Sequence, residues 1–455
     1  MVRNTIPFAV VIALMTCLAP IANADWPQFR GPDGTGICPD DKPLPVTWSP
    51  SENLKWKVAL PGPGSSSPIV VGDRVFVTCW SGYGTDRGNP GEQAALRRHL
   101  VCLDAATGET IWSKAVEPYL PEDEYSGMFT QHGYASHTPV SDGEHVFAFF
   151  GKTGAVAFDM DGNQLWQTSV GTESGPRGWG SASSPILYKN LLIVAATAES
   201  DALVALDKAT GKEVWRQEAA GFDSVWGTPV LVPVDDQRTD LVIAVPEEIW
   251  GLDPVTGKLL WYCEAVPASS FCSSAVVCDG IVYAIESGPG GGGGIAVRAG
   301  GEGDVTDTHV VWSGNQSNRI GTPIVHNGRV YVFANKIATC FDAVTGDEVY
   351  KSRLTSSSAG SPQTPPQSFG RGGRGGRGGG MGGSDYSSAV LADGRLYYTS
   401  RSGEVFVVKP GDEFEQLAVN RVTSDSEDFS ATPAVSDGRI FIRSSKHLYC
   451  VAKPE

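Results

Sequence analysis

The chain has 455 residues, of which 51 are Asp or Glu and 35 are Lys or Arg, so its formal charge is −16. Binding to a phosphate backbone needs a basic surface, and the acidic composition therefore argues against a nucleic-acid partner and against adsorption to an anionic membrane. The 55 glycines and 30 prolines favour a fold of many strands and turns.

Residues 1–24 form the first predicted element, a signal peptide. Arg3 supplies a positive start, residues 6–19 are largely apolar, and Ala22-Asn23-Ala24 is a small-residue cleavage site. We expect an exported mature protein that is periplasmic or secreted, or associated with the outer membrane. Cleavage leaves no transmembrane segment and, because it removes one arginine and no acidic residue, changes the formal charge from −16 to about −17.

An N-terminal extension follows at residues 25–52, and from residue 53 onward the chain repeats two markers. In the first marker, Asp-x-x-Thr-Gly-x-x-x-Trp, the Asp caps a turn, the Gly takes a positive φ and the Trp suits a contact between neighbouring sheets. Its members are Asp104, Gly108 and Trp112; Trp166, behind the shortened turn at 159–162; Asp207, Gly211 and Trp215; Asp253, Gly257 and Trp261; and Asp342, Gly346 and Tyr350.

The second marker is a Ser or Thr followed by Pro or Ala at the start of a short apolar strand. A hairpin turn and an alternating strand follow in most copies, and Pro is suited to the first position of a strand. The marker begins at Ser67, Thr138, Ser184, Thr228, Ser274, Thr322, Ser388 and Thr432. Eight units of four strands at this spacing predict an all-β fold, an eight-bladed β-propeller over residues 53–455.

The two ends of the chain predict how the ring closes. Residues 53–59 form a Trp-bearing strand with no partner before it, whereas the last unit ends at Val451 without a Trp-bearing strand. We predict that the N-terminal strand completes the last blade and removes the exposed sheet edges.

Unrepeated residues carry the candidate functional features. Segments 82–98, 117–136, 288–307 and 355–384 read as insertions, the last of them Gly/Arg-rich and predicted to be disordered. Polar and aromatic residues just before several first strands are expected to crowd one rim of the central channel, where they could bind a ligand. These candidates are His132, Tyr134, His137, Arg177, Trp179, Trp226, Arg319 and Tyr386, together with Phe429.

The cysteines and acidic turns give no metal signature. Cys102, Cys340 and Cys450 occupy a repeat position that also takes Ala or Gly, which favours packing as small hydrophobic residues over bridging. The alternatives are a Cys79–Cys102 disulfide and one disulfide among Cys263, Cys272 and Cys278. Segment 159–163 resembles the start of a calcium loop, but Val170 stands where such a loop needs Glu, and we predict no metal site.

The first marker resembles the tryptophan-docking motif A-x-D-x-x-T-G-x-x-x-W of pyrroloquinoline-quinone (PQQ) repeat propellers. Ala205, Asp207, Thr210, Gly211 and Trp215 match every specified position, and the resemblance covers about residues 53–455. Segment 26–32 is similar to that of BamB-type and planctomycete exported PQQ-like propellers. The resemblance implies the fold more strongly than an activity.

Three functions are compatible with this resemblance. The first is a non-catalytic, BamB-like scaffold that binds an envelope protein or peptide and has no cofactor and no catalytic residue. The second is binding of a small molecule or glycan at the funnel mouth. The third is a PQQ-dependent dehydrogenase, which would need PQQ and Ca²⁺; the chain lacks the adjacent Cys-Cys pair and the haem motif that such enzymes tend to carry.

Overall fold

The computed structural model describes residues 25–39, 42–288, 291–356 and 384–454. Within them, eight antiparallel sheets form a closed ring, which confirms the predicted eight-bladed β-propeller. Blades 1 to 4 consist of Ile69–Val71, Arg74–Ser81, Arg97–Asp104 and Thr110–Val116; Val140–Ser141, His145–Phe149, Ala155–Asp159 and Gln164–Thr168; Ile186–Tyr188, Leu191–Ala196, Ala202–Asp207 and Glu213–Glu218; and Val230–Pro233, Thr239–Val245, Glu248–Leu252 and Leu259–Glu264.

The second half of the ring follows the same order of strands. Blades 5 to 8 consist of Val276–Cys278, Ile281–Gly288, Gly291–Arg298 and Val310–Gly314; Ile324–His326, Arg329–Ala334, Ile337–Asp342 and Glu348–Arg353; Val390–Ala392, Arg395–Thr399, Val405–Lys409 and Glu415–Asn420; and Ala434–Ser436, Arg439–Arg443, His447–Ala452 and Leu54–Ala59. The helical segments of the described chain are short: the 3₁₀ turns Gln93–Ala95, Gly127–Gln131, Gly151–Thr153 and Ala220–Ser224, and the α-helix Thr306–His309. Among these described helices, not one is long and apolar enough to cross a bilayer.

The N-terminal strand closes the ring as predicted. Leu54–Ala59 pairs antiparallel with His447–Ala452, and Lys57 lies opposite Tyr449. The first residues of the propeller therefore supply the outer strand of blade 8, and no blade is left with an open third strand at the junction of the two chain ends.

A ring of hydrogen bonds around the central channel joins all eight blades. The Ser or Thr two residues before each first strand accepts, through its hydroxyl oxygen, a hydrogen bond from the backbone N–H of its counterpart in the preceding blade. The eight bonds span 2.9–3.2 Å and run Ser67→Thr138→Ser184→Thr228→Ser274→Thr322→Ser388→Thr432→Ser67. The Ser/Thr of the second sequence marker is thus the residue that ties neighbouring blades together at the axis.

Farther from the axis, a Trp–Gly contact locks five of the seams between blades. Each Trp donates its indole N–H to a carbonyl in the turn of the next blade, as Trp166 does to Lys208 at 3.0 Å. Its ring covers the turn glycine, and a Cβ at Gly211 would lie 2.6 Å from the Trp166 ring. Gly211 has a φ of +70°, so Gly is required there both by the backbone and by the ring above it. The five contacts are Trp56–Gly108, Trp112–Gly162, Trp166–Gly211, Trp215–Gly257 and Trp312–Gly346.

Trp261 departs from this pattern although its sequence matches. Its indole donates to the buried Asp240 Oδ2 of its own blade at 2.7 Å. In blade 5 the third strand, Gly291–Arg298, is followed by Gly303–Asp304, which adds to the outer edge of blade 4, and by the helix Thr306–His309. The prediction of an insertion at 288–307 was therefore wrong in part, because its first half is a regular blade strand.

The small-residue position predicted from the repeats lies directly opposite the Trp. Cys102 pairs with Trp112, Cys340 with Tyr350 and Cys450 with Trp56. All three cysteines are fully buried thiols, which confirms packing over bridging. Burial raises the pKa of each of these thiols to about 12. Cys79, Cys263, Cys272 and Cys278 are also unbridged, so the alternative disulfides are wrong.

The extension at residues 25–52 crosses the face of the ring that carries the turns between first and second strands, which we call the plug face. Trp26 pairs with Val70 of blade 1, and Cys38 donates its N–H to Leu391 of blade 7. Between them Arg30, 1% exposed, reaches the channel axis and donates to the carbonyls of Thr322 and Pro323. The extension thereby closes one mouth of the channel, which the sequence did not reveal.

The opposite face, where the loops between blades lie, is called here the funnel face. The predicted signal peptide at 1–24 and residues 357–383 of the Gly/Arg-rich segment lie outside the described residues.

Candidate functional site

A cavity of about 150 Å³ opens on the funnel face at the channel axis. Phe29 of the N-terminal extension forms its floor, and the hydroxyl ring that joins the blades surrounds it. Larger side chains from the loops before first strands build the upper wall: Met128, His132, Trp179, Trp226, Cys272, Ile320 and Tyr386. The cavity is therefore closed below by the extension and aromatic at its open end.

Trp179 and Trp226 form one side of the cavity. Their ring centroids are 5.0 Å apart, and the Trp226 indole donates to the carbonyl of Gly180 at 2.7 Å. The Arg177 guanidinium lies 5.4 Å from the Trp179 ring centroid and donates to Ser224 Oγ at 3.1 Å. Both indole rings are held by neighbouring groups, so this wall is preformed.

His132 is fixed in one tautomer at the edge of the cavity. Nε2 lies 2.7 Å from the carbonyl oxygen of Trp179, and because a carbonyl only accepts, Nε2 carries the proton. Nδ1 then accepts from Ser136 Oγ at 2.7 Å. Burial lowers the pKa of His132 to about 4, so the ring is neutral near pH 7.

The candidate rim residues separate into two groups. His132, Trp179, Trp226 and Tyr386 line the cavity, and Arg177 contacts it through Trp179. Three others have partners away from the cavity: Tyr134 donates to the carbonyl of Asp123, His137 packs 4.5 Å from the Phe149 ring, and Phe429 packs against Tyr449. Arg319 is not part of the cavity lining, and two of its nitrogens are buried without a partner among the described residues.

Two of the predicted insertions fold together on the funnel face into one unit, here called the loop platform (residues 82–98 and 117–136). Its core is a cluster of the aromatic side chains of Trp80, Tyr83, Phe129 and Tyr134 together with Leu96. The Arg98 guanidinium pairs with the Glu122 carboxylate, and both side chains are almost fully buried. Lys152 of blade 2 pairs with Asp123 at 2.8 Å and anchors the platform to the ring.

The segment of the loop platform that directly follows the outer strand of blade 1 is exposed and apolar. Tyr119 is 45% exposed and Leu120 is 44% exposed, although the residues beneath them are packed. Apolar side chains held outward by an ordered loop are a feature of interaction surfaces.

A second depression, here called the rim groove, adjoins the cavity and has a volume of about 550 Å³. The two share Ser65, His132 and Ser430 in their walls. The rim groove is lined by the cationic side chains of Arg87, Arg401 and Lys446 and by one carboxylate, that of Asp428.

Arg401 connects the rim groove to the cavity. Its Nε and Nη2 both bond the Asp428 carboxylate, at 2.9 Å and 2.8 Å to Oδ2, so this anion is already neutralised. The same guanidinium lies 4.8 Å from the ring centroid of Tyr386, which lines the cavity. The uncompensated charges of the groove are then those of Arg87 and Lys446.

Two buried carboxyl groups behind the cavity wall were missed by sequence reasoning. Glu199 accepts from Ser181 Oγ, which also lies 3.0 Å from His137 Nε2, and burial raises the pKa of Glu199 to about 7. Glu286 accepts the backbone N–H groups of Cys272 and Ser273, and burial raises its pKa to about 8. In the sequence each of these glutamates comes at the end of an apolar stretch, and this position could have indicated a buried carboxyl group.

The residues around the cavity do not fit PQQ with its calcium ion. Ca²⁺ takes six to eight oxygen ligands, usually from several carboxylates. Among the described residues no three His, Cys, Asp or Glu side chains converge to hold a metal. Glu286 accepts backbone donors, and Glu199 accepts a serine hydroxyl through Oε1 only. Glu199 Oε2 has no partner among the described residues, but one such oxygen does not supply the ligand set of Ca²⁺.

The fold and its tryptophan-docking seams define the class as an eight-bladed PQQ-like β-propeller. A family model described as "Outer membrane protein assembly factor BamB" matches residues 32–173, 93–198 and 189–412. The chain belongs to this family.

Curated relatives of two kinds match part of the chain. A "Polyvinylalcohol dehydrogenase" of Pseudomonas sp is 26% identical and aligns with 48% of this chain and 48% of its own length. An "Outer membrane protein assembly factor BamB" of Alkalilimnicola ehrlichii is 30% identical over 38% of this chain and 36% of its own. The chain spans about half or less of the length of these relatives.

Solved structures are similar over most of the chain. BamB from Moraxella catarrhalis superimposes with a TM-score of 0.57 at 11% identity and covers 88% of this chain and 97% of its own. The quinohemoprotein alcohol dehydrogenase ADHIIG from Pseudomonas putida HK5 gives 0.56 at 10% identity, with coverages of 95% and 82%. At these identities the likeness shows the fold alone.

Proposed function

We propose that this protein is a non-catalytic scaffold that binds a protein or peptide partner through its funnel face. The observation that carries the proposal is the loop platform. It has its own aromatic core and a buried Arg98–Glu122 ion pair, yet it presents Tyr119 and Leu120 to solvent. A loop that is held in one conformation by buried contacts and still exposes apolar side chains is suited to recognising another protein surface.

Family membership supports the proposal and its location. The matching family description names an outer-membrane assembly factor. Together with the predicted signal peptide, it supports an exported protein in the periplasm or at the outer membrane. We propose an envelope protein or peptide as the partner, and no cofactor.

Binding of a small molecule or glycan at the funnel mouth is the second candidate, favoured by the paired rings of Trp179 and Trp226. Aromatic faces bind sugar rings and other flat groups, and the two indoles are already in place. The cavity that they border has a volume of about 150 Å³, below the roughly 300–1,000 Å³ of most ligand sites.

The dehydrogenase candidate is supported by a relative's name and opposed by the residues of the cavity. If it is correct, titration of the purified protein with PQQ and Ca²⁺ produces a saturable quinone absorbance and reduction of an artificial electron acceptor. We expect neither at micromolar PQQ, because no cluster of ligands for Ca²⁺ lies among the described residues.

The scaffold proposal is tested by photo-crosslinking in the native envelope. A photoreactive phenylalanine analogue replaces Tyr119 on the loop platform or, as the control, Val344, which is 69% exposed in a plug-face turn. We expect a discrete protein adduct from position 119 and none from position 344. Equal labelling from both positions, or none from position 119, would overturn the proposal.

A further inference from the structure

The rim groove is locally basic on a strongly acidic protein. The chain carries a formal charge of −16, yet the groove holds three cationic side chains and one carboxylate, which is paired with Arg401. Arg87 and Lys446 are exposed at the groove, and no ion pair to either is found among the described residues. A small basic patch within a negative surface attracts and orients an anionic group.

The adjoining cavity has the size of one aromatic ring. A cavity of roughly 150 Å³ is large enough for a benzene-sized molecule, and the present cavity, which has hydroxyl groups below and mainly apolar side chains above, has a volume of about 150 Å³. Trp179, Trp226 and Tyr386 supply ring faces and edges around it, where an inserted aromatic side chain would have offset or edge-to-face partners.

The two compartments form one continuous surface. Ser65, His132 and Ser430 belong to both, and the Arg401 guanidinium lies over the Tyr386 ring at 4.8 Å. A ligand with an aromatic side chain in the cavity therefore places its neighbouring groups beside Arg87 and Lys446. His132 contributes no charge near pH 7, because burial lowers its pKa to about 4.

We propose that the cavity and the rim groove together recognise an acidic peptide segment, with one aromatic side chain in the cavity and flanking carboxylates at Arg87 and Lys446. This inference rests on the scaffold function and names the partner's chemistry. A peptide suits the arrangement better than a free small molecule, because the open groove of about 550 Å³ extends beyond a cavity that one ring fills.

Fluorescence anisotropy with labelled synthetic decapeptides tests the inference. The first probe is a Gly/Ser peptide, blocked at both ends, with one Phe flanked by three Glu. In the second probe Gln replaces each Glu, and in the third Ala replaces the Phe. We expect the first probe to bind saturably and each of the others to bind at least roughly tenfold more weakly, since each lacks one of the two kinds of contact.

Variants of the full-length protein locate the contacts. R87Q/K446Q removes the two exposed charges and is expected to weaken binding of the first probe about tenfold, more at low salt than at high salt. K212Q/K258Q removes the same charge from exposed plug-face turns and is expected to change nothing. Ala182→Phe fills the cavity, whose wall includes Ala182, and is expected to abolish the difference between the first and third probes.

The outcomes separate this inference from the scaffold proposal. Three results would each overturn the inference. The charged and neutral probes would bind with equal affinity, the two double variants would have equal effects, or the first probe would not bind. If free phenylacetate or PQQ binds as tightly as the first probe, the site is one for a small molecule and the inference is also wrong. A partner crosslinked from position 119 in any of these cases leaves the scaffold function standing.

Discussion

The backbone N–H of Thr432 donates a hydrogen bond of 3.1 Å to Oγ of Ser67, which lies 365 residues away in the sequence. This bond completes the axial ring that the other blades build in chain order. Blade 8 is thus joined to blade 1 at the axis by these hydroxyl-bearing residues and farther out by Trp56, which covers Gly108. Arg443 of blade 8 adds a hydrogen bond of 2.8 Å to the carbonyl of Ser66.

Ser67→Ala removes the acceptor at this junction and leaves the buried N–H of Thr432 without a partner. We expect a loss of about 1–3 kcal/mol in the free energy of unfolding, the cost of an unsatisfied buried donor. Urea denaturation measures the loss. Ser113→Ala, at an exposed outer-strand position, serves as the control and is expected to change stability by less than about 0.5 kcal/mol.

Gly211→Ala tests the Trp–Gly contacts between blades. The new Cβ would lie 2.6 Å from the Trp166 ring at a φ of +70°. Gly328→Ala is the matched control, since its φ is +71° and no heavy atom of the described residues would lie within 4 Å of the new Cβ. Both variants carry the backbone strain of about 1 kcal/mol, and the clash with the ring is expected to cost G211A about 1–3 kcal/mol more. Equal melting temperatures for the two variants would contradict the account.

Glu122→Gln tests the ion pair inside the loop platform. The Arg98 charge would then be buried without a counter-ion, and we expect a loss of about 3 kcal/mol. Hydrogen exchange should rise mainly in segments 83–98 and 122–135, while the blades stay protected. Glu117→Gln, in an exposed pair with Arg97, is expected to have an effect of at most about 0.5 kcal/mol. Uniform loss of protection across the ring would show that the platform is no separate unit.

The buried carboxyl groups predict how stability depends on pH. Burial raises the pKa of Glu199 to about 7 and that of Glu286 to about 8, so the folded state binds more protons than the unfolded state above pH 4.5. This contribution to stability is complete at low pH and is lost as the pH rises through 7 to 8.

The contribution of His132 and His137 to stability changes with pH in the opposite direction, because burial lowers the pKa of His132 to about 4 and that of His137 to about 3. Their contribution grows with pH and is complete above about pH 6.5. Between pH 6.5 and 8 the carboxyl effect dominates, and we expect stability to fall. Above pH 8 the buried thiols, whose pKa is also raised, add to the fall. Glu199→Gln should flatten this decline in urea titrations at several pH values. An unchanged slope would show that Glu199 is ionised throughout.

Much of the ring could be predicted from local sequence, because its turns and seams are local. Asp207, Thr210 and Gly211 form a turn through contacts within a few residues, and Trp215 follows at a fixed spacing. The seam of Trp261 could not be foreseen, since it depends on where segment 303–304 lies after blade 5. Trp261 still packs in the core shared by blades 4 and 5, but it lacks the Trp–Gly contact that Trp215 makes.

The site was predictable only in part, because it depends on distant residues. His132 and His137 both precede the same strand, but one lines the cavity and the other packs on Phe149 inside the ring. The floor could not be foreseen at all: Phe29 and Arg30 reach the axis from the extension, and Arg30 bonds carbonyls about 290 residues away. No short-range pattern encodes such contacts.

A crosslinking map of both faces in the native envelope shows whether the partner binds to the funnel face. The photoreactive residue is placed in turn at Arg87, Tyr119 and Leu120 on the funnel face, and at Lys212, Val255 and Val344 on the plug face. All six positions are exposed. We predict an adduct of one common mass from the funnel-face positions and none from the plug-face positions. Adducts confined to the plug face, or of equal yield on both faces, would contradict the assignment of partner binding to the funnel face.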